Sequence, residues 1–329
     1  MGLKMTVLET LHWATNYLED HGVENPRLNA ELLLAHSLKL SREGLYIHLR
    51  DGIQREEKET LAKIVERRVS GEPLQYILGH QEFWSIDLKV DPRVLVPRPE
   101  TELLVDQSLS ILAERHSKKI PFVLEIGTGS GAIAISLARE VGDILIVATD
   151  ISRDALLLAK ENARSAGVLG QIVFINGDLF APFHFFSGEG PFDLILSNPP
   201  YISRPEIQTI AREVREYEPI IALYGGEDGL EFYRRIVSQA SFYLRKGGWL
   251  LVEVGAGQGA KVSELIDGEK NFMESECLRD LSGIERVVKA QKNNPEIRST
   301  GEASRRDQFE TSTNLPLSPT GEREGVRGR

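Results

Sequence analysis

From residue 121 onward the apolar residues of this chain fall into two alternating patterns. Short runs rich in branched residues at 122–126, 144–149, 172–175, 194–196 and 249–254 are separated by amphipathic stretches near 131–141, 153–166 and 228–245. A run that is apolar on both faces must be covered on both sides, and helices between such runs predict a parallel sheet. A further helix near 257–267 and two weaker strands near 273–278 and 286–290 follow. The strand count is then seven, and the class is α/β with a mostly parallel sheet.

The residues before this region have a different rhythm. Thr6 and Glu9 form a capping box for a helix whose inner face is Val7, Leu11, Ala14 and Leu18. Asn25-Pro26 reads as an N-cap with proline at the first helical position, opening a helix through Leu32, Leu33 and Leu34. A third helix near 54–69 packs Leu61, Ile64 and Val65, so residues 1–75 are expected to be a small helical bundle. Residues 76–102 read as a hairpin connector: a strand over 83–90 with Trp84, Ile86, Leu88 and Val90 alternating, and a second strand at 94–96. The sheet domain then spans 103–291. Residues 292–329 are rich in Arg, Glu, Ser, Thr, Gly and Pro with no apolar period, and read as a disordered tail.

The formal charge of −10 argues against a protein that tracks duplex nucleic acid, which needs a basic face. The single cysteine, Cys277, forms neither an intramolecular disulfide nor a cysteine zinc site, which fits a reducing cytoplasm. The seven histidines show no metal-ligand spacing, and no apolar run approaches the ~20 residues that span a membrane.

Val123-Leu124-Glu125-Ile126 runs into Gly127-Thr128-Gly129-Ser130-Gly131, a strand entering a glycine turn before a helix. Such a turn lets a ligand approach the backbone closely, although a tight strand-to-helix turn needs glycine as well. Asp150 ends the next strand, where a carboxylate accepts from ribose hydroxyls, and Asn176-Gly177-Asp178 ends the third, where Asp178 can meet an adenine amino group. With Ala132 the segment satisfies the dinucleotide pattern, but no Gly-Lys-Ser/Thr follows to cradle ATP. Glu125 at the strand end repels phosphate and suits a ligand bearing an amino group and a sulfonium, which favours S-adenosylmethionine over NAD.

The fourth strand, 192–197, ends in Asn198-Pro199-Pro200-Tyr201. Two prolines stop the strand and remove two N–H donors, leaving the Asn198 side-chain oxygen and the Pro199 carbonyl as acceptors beside an aromatic ring. That set suits a planar NH2 group. The plainer alternatives are that Asn198 caps a turn, that Tyr201 is core, and that Arg98, Glu100 and Glu102 form a solvated loop.

Taken together these motifs resemble the class I S-adenosylmethionine-dependent methyltransferases, and specifically the protein-(glutamine-N5) methyltransferases of bacterial peptide-chain release factors. The features shared with that family are the helical N-terminal segment, Gln75-Tyr76-Ile77-Leu78-Gly79 with Glu82-Phe83-Trp84, Val96-Pro97-Arg98-Pro99-Glu100-Thr101-Glu102, and Glu218-Pro219 with Gly225-Gly226-Glu227-Asp228-Gly229-Leu230. The resemblance covers roughly residues 6–290 and departs from the family at Glu125, where many members carry Asp. It implies a Rossmann-like fold with S-adenosylmethionine as methyl donor. Gly127, Thr128, Gly129, Ser130 and Gly131 would line its methionine part, Asp150 its ribose, and Asp178 with Leu179 its adenine. Asn198, Pro199, Pro200 and Tyr201 would hold the glutamine of the release factor's Gly-Gly-Gln loop, with no metal. It further implies a cytoplasmic monomer that touches neither membrane nor, directly, nucleic acid. The same tetrapeptide serves adenine-N6 methyltransferases of DNA, so the alternatives are another glutamine, such as one on a ribosomal protein, and an adenine in nucleic acid. A non-catalytic adenosyl-binding adaptor and an NAD-dependent oxidoreductase are more distant readings.

Overall fold

The computed structural model describes residues 5–115, 119–183 and 189–294. The tail expected at 292–329 lies outside the described residues from 295 onward. Helix α1 (Val7–Asp20) starts at the anticipated capping box: Thr6 Oγ1 accepts from Glu9 N at 3.2 Å, and Glu9 Oε2 accepts from Thr6 N at 2.7 Å. Helix α2 (Pro26–Leu38) has Pro26 in its first turn, but Asn25 is left-handed and makes no side-chain cap. Asn29 instead ties the helix entry down by donating from Nδ2 to the Glu24 and Asn25 carbonyls. A short α3 (Arg42–Ile47), α4 (Arg55–Val69) and α5 (Leu74–Leu78) complete the bundle, whose core holds Leu11, Leu18, Leu33, Leu34, Leu61 and Val65.

The connector departs from the expected pair of strands. β1 (His80–Phe83) and β2 (Ile86–Lys89) form a two-residue hairpin whose turn falls on Trp84 and Ser85, at φ +52° and +55°. Two successive positive φ values match the twist of a hairpin turn, so the single strand expected over 83–90 is broken at its second residue. The strand expected at 94–96 does not form. Its backbone is engaged elsewhere: Val96 N donates to the Glu218 carboxylate at 3.1 Å, and the Val94 carbonyl accepts from Tyr76 Oη. Val94 and Val96 are buried against Ala155 and Leu158.

After α6 (Glu102–Ala113) comes a seven-stranded sheet: β3 (Phe122–Ile126), β4 (Leu145–Asp150), β5 (Ile172–Asn176), β6 (Phe192–Ser197), β7 (Leu244–Glu253), β8 (Glu276–Arg279) and β9 (Glu285–Gln291). Its order is β5-β4-β3-β6-β7-β9-β8, parallel except where β9 pairs with β7 and β8. The helices are α7 (Ala132–Val141), α8 (Arg153–Ser165), α9 (Arg212–Tyr217), α10 (Glu231–Tyr243) and α11 (Gly259–Asp267). One face of the sheet packs on α6 and α7, the other on α10 and α11. The chain builds outward from β3 to β5 and then crosses back to lay β6 on the opposite side of β3, which opens a crevice at the carboxyl ends of β3 and β6. At the opposite end of the sheet the buried Asp193 accepts from Phe122 N at 2.7 Å and pairs with Arg115 and Arg245.

One side chain ties the connector to this sheet. Asn162 on α8 is buried; its Oδ1 accepts from Lys89 N at 2.9 Å, and its Nδ2 donates to the carbonyls of Lys89 and Ser130. Removing it leaves three backbone groups without their partner, each worth about 1 kcal/mol or more when buried. Asn162→Ala is expected to lower unfolding stability by about 2 kcal/mol, read as a lower urea midpoint at unchanged slope.

Candidate active site

The β3 strand ends at Ile126, and Gly127, Gly129 and Gly131 all take positive φ in the turn that follows. Gly127 N and Thr128 N both donate to the Thr149 carbonyl of β4, fixing the loop to the neighbouring strand end. At Gly131, φ is +85° and a Cβ would stand 3.0 Å from Ile135 Cδ1 and 3.2 Å from Ala159 Cβ. Gly131 therefore packs α7 against α8 behind the loop instead of facing the cleft in front of it.

Asp150 closes β4 with its carboxylate turned to the same loop: Oδ2 accepts from Gly129 N at 2.9 Å and Oδ1 from Ser152 N at 2.8 Å. Asp178 lies past the end of β5, where its Oδ2 accepts from Arg235 Nη2. The next residue, Leu179, is buried and left-handed at φ +49°.

Asn198 begins where β6 stops. Its Nδ2 donates to Thr101 Oγ1 at 3.2 Å, and among the described residues no donor reaches its Oδ1 or the Pro199 carbonyl. Tyr201 turns beneath this loop: its carbonyl accepts from Gln258 Nε2 at 2.9 Å, and a Cβ on Gly255 would lie 2.9 Å from its ring. Gly225 is needed on the same side, since a Cβ there would be 2.7 Å from the Pro200 carbonyl and from Tyr201 Cα. The Gly225–Leu230 segment thus serves as a close backing for the Asn-Pro-Pro-Tyr loop.

These elements border one cleft, whose empty space counted out to solvent is about 1110 Å³. Gly127, Thr128, Gly129, Ser130, Asp150, Asp178, Leu179, Asn198, Pro199 and Pro200 all line it; Gly131 and Tyr201 do not. Sequence reasoning did not single out the connector wall at Arg93–Leu95 and Thr101, nor Pro219, Ile221 and Ala222 opposite. The signal for the connector was present in its prolines and charges. Arg98 pairs with the buried Glu218 carboxylate, Glu100 lies 3.5 Å from Arg286, and Glu102 Oε1 accepts from Trp84 N at 3.0 Å. The three charges are a set of attachments, not a solvated loop.

The donor set fits an adenosyl ligand carrying an amino group. Glu125 is buried; its Oε2 accepts from Thr128 Oγ1 at 2.7 Å while Oε1 has no partner among the described residues. Burial pushes its carboxyl up to about 8, with Asp150 adding to the rise and hydrogen bonds from Thr128 and Ala134 N opposing it. Burial also raises Asp150, against hydrogen bonds from the backbone. A cationic ligand relieves both, whereas a phosphate does not. Arg93 and Arg98, the cations on the connector wall, are already paired with Asp91 and Glu218. Among the described residues there is no cluster of metal-ligating side chains and no helix long and apolar enough to cross a membrane.

Comparison with known proteins gives the following. A family model described as the PrmC N-terminal domain matches residues 9–79, and one described as a methyltransferase domain matches residues 123–217. The release factor glutamine methyltransferase of Geobacter sulfurreducens is 43% identical over 283 residues, covering 86% of this chain and 95% of that one. Proteins of the same name from Koribacter versatilis and Bacillus cereus are 39% and 36% identical over 288 residues, covering 88% and 87% of this chain and 99% of each relative.

Glu125 also makes stability depend on pH. Its folded pKa lies above its unfolded value, so its contribution is fully present below about 4.5 and is lost as pH rises through about 8. Thermal melts of the ligand-free protein are expected to show Tm falling between pH 5 and pH 8, and Glu125→Gln should reduce that fall by about 2 °C or more.

Proposed function

This chain belongs to the release factor glutamine methyltransferase family, and we propose that it moves a methyl group from S-adenosylmethionine to the side-chain amide nitrogen (N5) of the glutamine in the Gly-Gly-Gln loop of peptide-chain release factors. The observation that carries the reading is a pair of acceptors that no donor among the described residues reaches, Asn198 Oδ1 and the Pro199 carbonyl, at the mouth of a carboxylate-lined cleft.

Bound in that cleft, S-adenosylmethionine supplies a methyl group on a positively charged sulfur. The loop from Gly127 to Ser130 would hold its methionine part, with Gly131 packing the loop from behind, and Asp150 would accept from its ribose hydroxyls. Asp178 and Leu179 frame its adenine, Asp178 sharing its carboxylate with Arg235.

An amide nitrogen is a poor nucleophile because its lone pair is delocalised into the carbonyl. Two hydrogen bonds from its NH2 to Asn198 Oδ1 and Pro199 O fix its orientation and favour pyramidalisation, so that the lone pair faces the cleft. Positioning of this kind lowers a barrier by on the order of several kcal/mol. Both acceptors also stabilise positive charge as it develops on the nitrogen; as the N–CH3 bond forms, the S–CH3 bond breaks to leave neutral S-adenosylhomocysteine, and the methylated nitrogen then loses a proton to solvent. Pro200 stiffens the loop and carries no N–H to compete for the substrate. Tyr201 is pushed up to about 12 by burial and, next, by Glu253, so it stays neutral and acts as a packing surface instead of a base.

In this reading residues 1–75 dock the release factor, and 76–102 join that platform to the catalytic domain at 103–291. The enzyme works in the cytoplasm as a monomer, without direct contact to nucleic acid. Tritiated S-adenosylmethionine should label purified release factor and leave its Gln→Ala loop variant, a ribosomal-protein mixture and DNA unlabelled; label in either of the last two would replace the proposed substrate.

Two variants separate the roles. Asn198→Ala should lower methyl transfer about 100-fold or more while calorimetry finds S-adenosylmethionine affinity within about threefold of wild type. Asp150→Ala should weaken S-adenosylmethionine binding about tenfold or more, as expected for lost hydrogen bonds to a charged acceptor.

A further inference from the structure

Glu253, the last residue of β7, takes no part in the chemistry described above. It is 2% exposed, and its Oε2 has no hydrogen-bond partner among the described residues. The β6–β7 ladder pairs Ser197 with Val252, so the next residues on each strand, Asn198 and Glu253, leave the sheet side by side. Thr101, 5% exposed, stands with them: its Oγ1 accepts from Asn198 Nδ2 at 3.2 Å, and both side chains act on the Glu253 carboxyl, opposing the rise that burial causes.

We propose that Glu253 and Thr101 are positioning residues that determine which end of the Asn198 amide faces the substrate. The inference rests on the glutamine-methylating reading above. The two ends of an asparagine amide are almost the same shape and opposite in hydrogen-bonding sense. Only Oδ1 can accept from a substrate NH2; a flipped Asn198 would meet it donor to donor. A carboxylate accepts and never donates, so placed behind Asn198 together with an accepting hydroxyl it holds Nδ2 inward and turns Oδ1 outward. In the flipped state Oδ1 would face the carboxylate and Nδ2 the substrate, which is unfavourable on both sides.

The groups around Glu253 make this arrangement sensitive to protonation. Burial pushes its carboxyl up to about 7; Thr101, Arg286 of β9 and Asn198 oppose the rise, while Glu100 of the 99–101 turn adds to it. Tyr201 is coupled to the same carboxyl, and Tyr233 of α10 donates from Oη to the Glu253 carbonyl at 2.9 Å. Once protonated, Glu253 can donate, and either orientation of Asn198 becomes acceptable. Turnover should therefore rise with pH through about 7 as the carboxylate forms.

The test uses the full chain with release factor as substrate. At pH 8 Glu253→Gln is expected to lower kcat about tenfold while KM and S-adenosylmethionine affinity change by less than about threefold. The rise of kcat through neutral pH should vanish in the same variant. Thr101→Val should lower kcat similarly, and the double variant should be no worse than either single one. A substrate-independent readout is the Asn198 side-chain NH2 resonance of 15N-labelled protein, assigned by its loss in Asn198→Ala. It should titrate near neutral pH in the wild type and stay fixed in Glu253→Gln. Unchanged kcat in Glu253→Gln, a retained pH profile, or a resonance indifferent to Glu253 would overturn the proposal. So would loss of S-adenosylmethionine binding together with kcat, which would show a merely structural role. A wild type that labels no release factor but shows the Glu253-dependent resonance would instead fault the choice of substrate.

Discussion

The ladder between β3 and β6 is the constraint on which the site depends. It pairs Ile126 with Ser197, so the strands stop together and Gly127 and Asn198 emerge as neighbours from segments some seventy residues apart in sequence. Ser197 Oγ reinforces the join by donating to the Ile126 carbonyl at 2.8 Å. A slip of one residue would turn Asn198 to the opposite face and bury a polar side chain in the packing of α10 or α7. The strands are buried on both faces, so that slip is resisted along their whole length. The chemistry is thus set by sheet register before any side chain of the cleft is considered.

The cleft wall at the ends of β3, β4 and β5 was readable because it follows from topology. Strand ends in a parallel sheet collect the ligand contacts, and a strand–glycine–helix unit with carboxylates after the next two strands can be found by counting. The Asn-Pro-Pro-Tyr loop was readable for a different reason, since two prolines after a buried strand leave acceptors without donors. The connector was misread in detail. Alternation over 83–90 is real, with Ile86, Leu88 and Val90 buried, but nothing in that alternation marks the left-handed pair Trp84-Ser85 that breaks it. The apolar triplet at 94–96 looked like a strand because Val94 and Val96 are buried, yet their partners are the α8 side chains Ala155 and Leu158 and the Glu218 carboxylate. Asn162 and Glu253 carried no signal, and Thr101 was marked only as part of the Val96–Glu102 motif, because their roles exist only once residues distant in sequence meet.

Burial of carboxylates at this cleft is not a device for stability. Glu125 and Glu253 are each almost fully enclosed with one oxygen lacking a partner among the described residues, and both are pushed well above the usual carboxylate range. A core of the same volume built from apolar residues would be cheaper, since an unsatisfied buried polar atom costs about 1–3 kcal/mol. Asp193 at the opposite end of the sheet shows the ordinary solution, with two arginines and a backbone N–H around a single carboxylate. The two ends of one sheet thus treat a buried carboxylate differently: Asp193 is fully engaged, while Glu125 and Glu253 each keep one oxygen without a partner among the described residues.

The connector explains how a helical platform can govern chemistry that it does not touch. Arg98 and Val96 N converge on a Glu218 side chain that is 1% exposed, Glu100 reaches Arg286, and Thr101 holds Asn198. Breaking the Arg98–Glu218 pair by removing one partner would leave a buried charge uncompensated, at a cost of about 3–5 kcal/mol. Seven residues, Val96 to Glu102, therefore bind rigidly to the loop before α10, to β9 and to the end of β6 at the same time. Under the proposed function, a protein held by the N-terminal bundle would thereby be referenced to the Asn198 amide through fixed hydrogen bonds and not through a flexible linker. This is the geometry required to present one glutamine, out of many on a protein surface, to two acceptors.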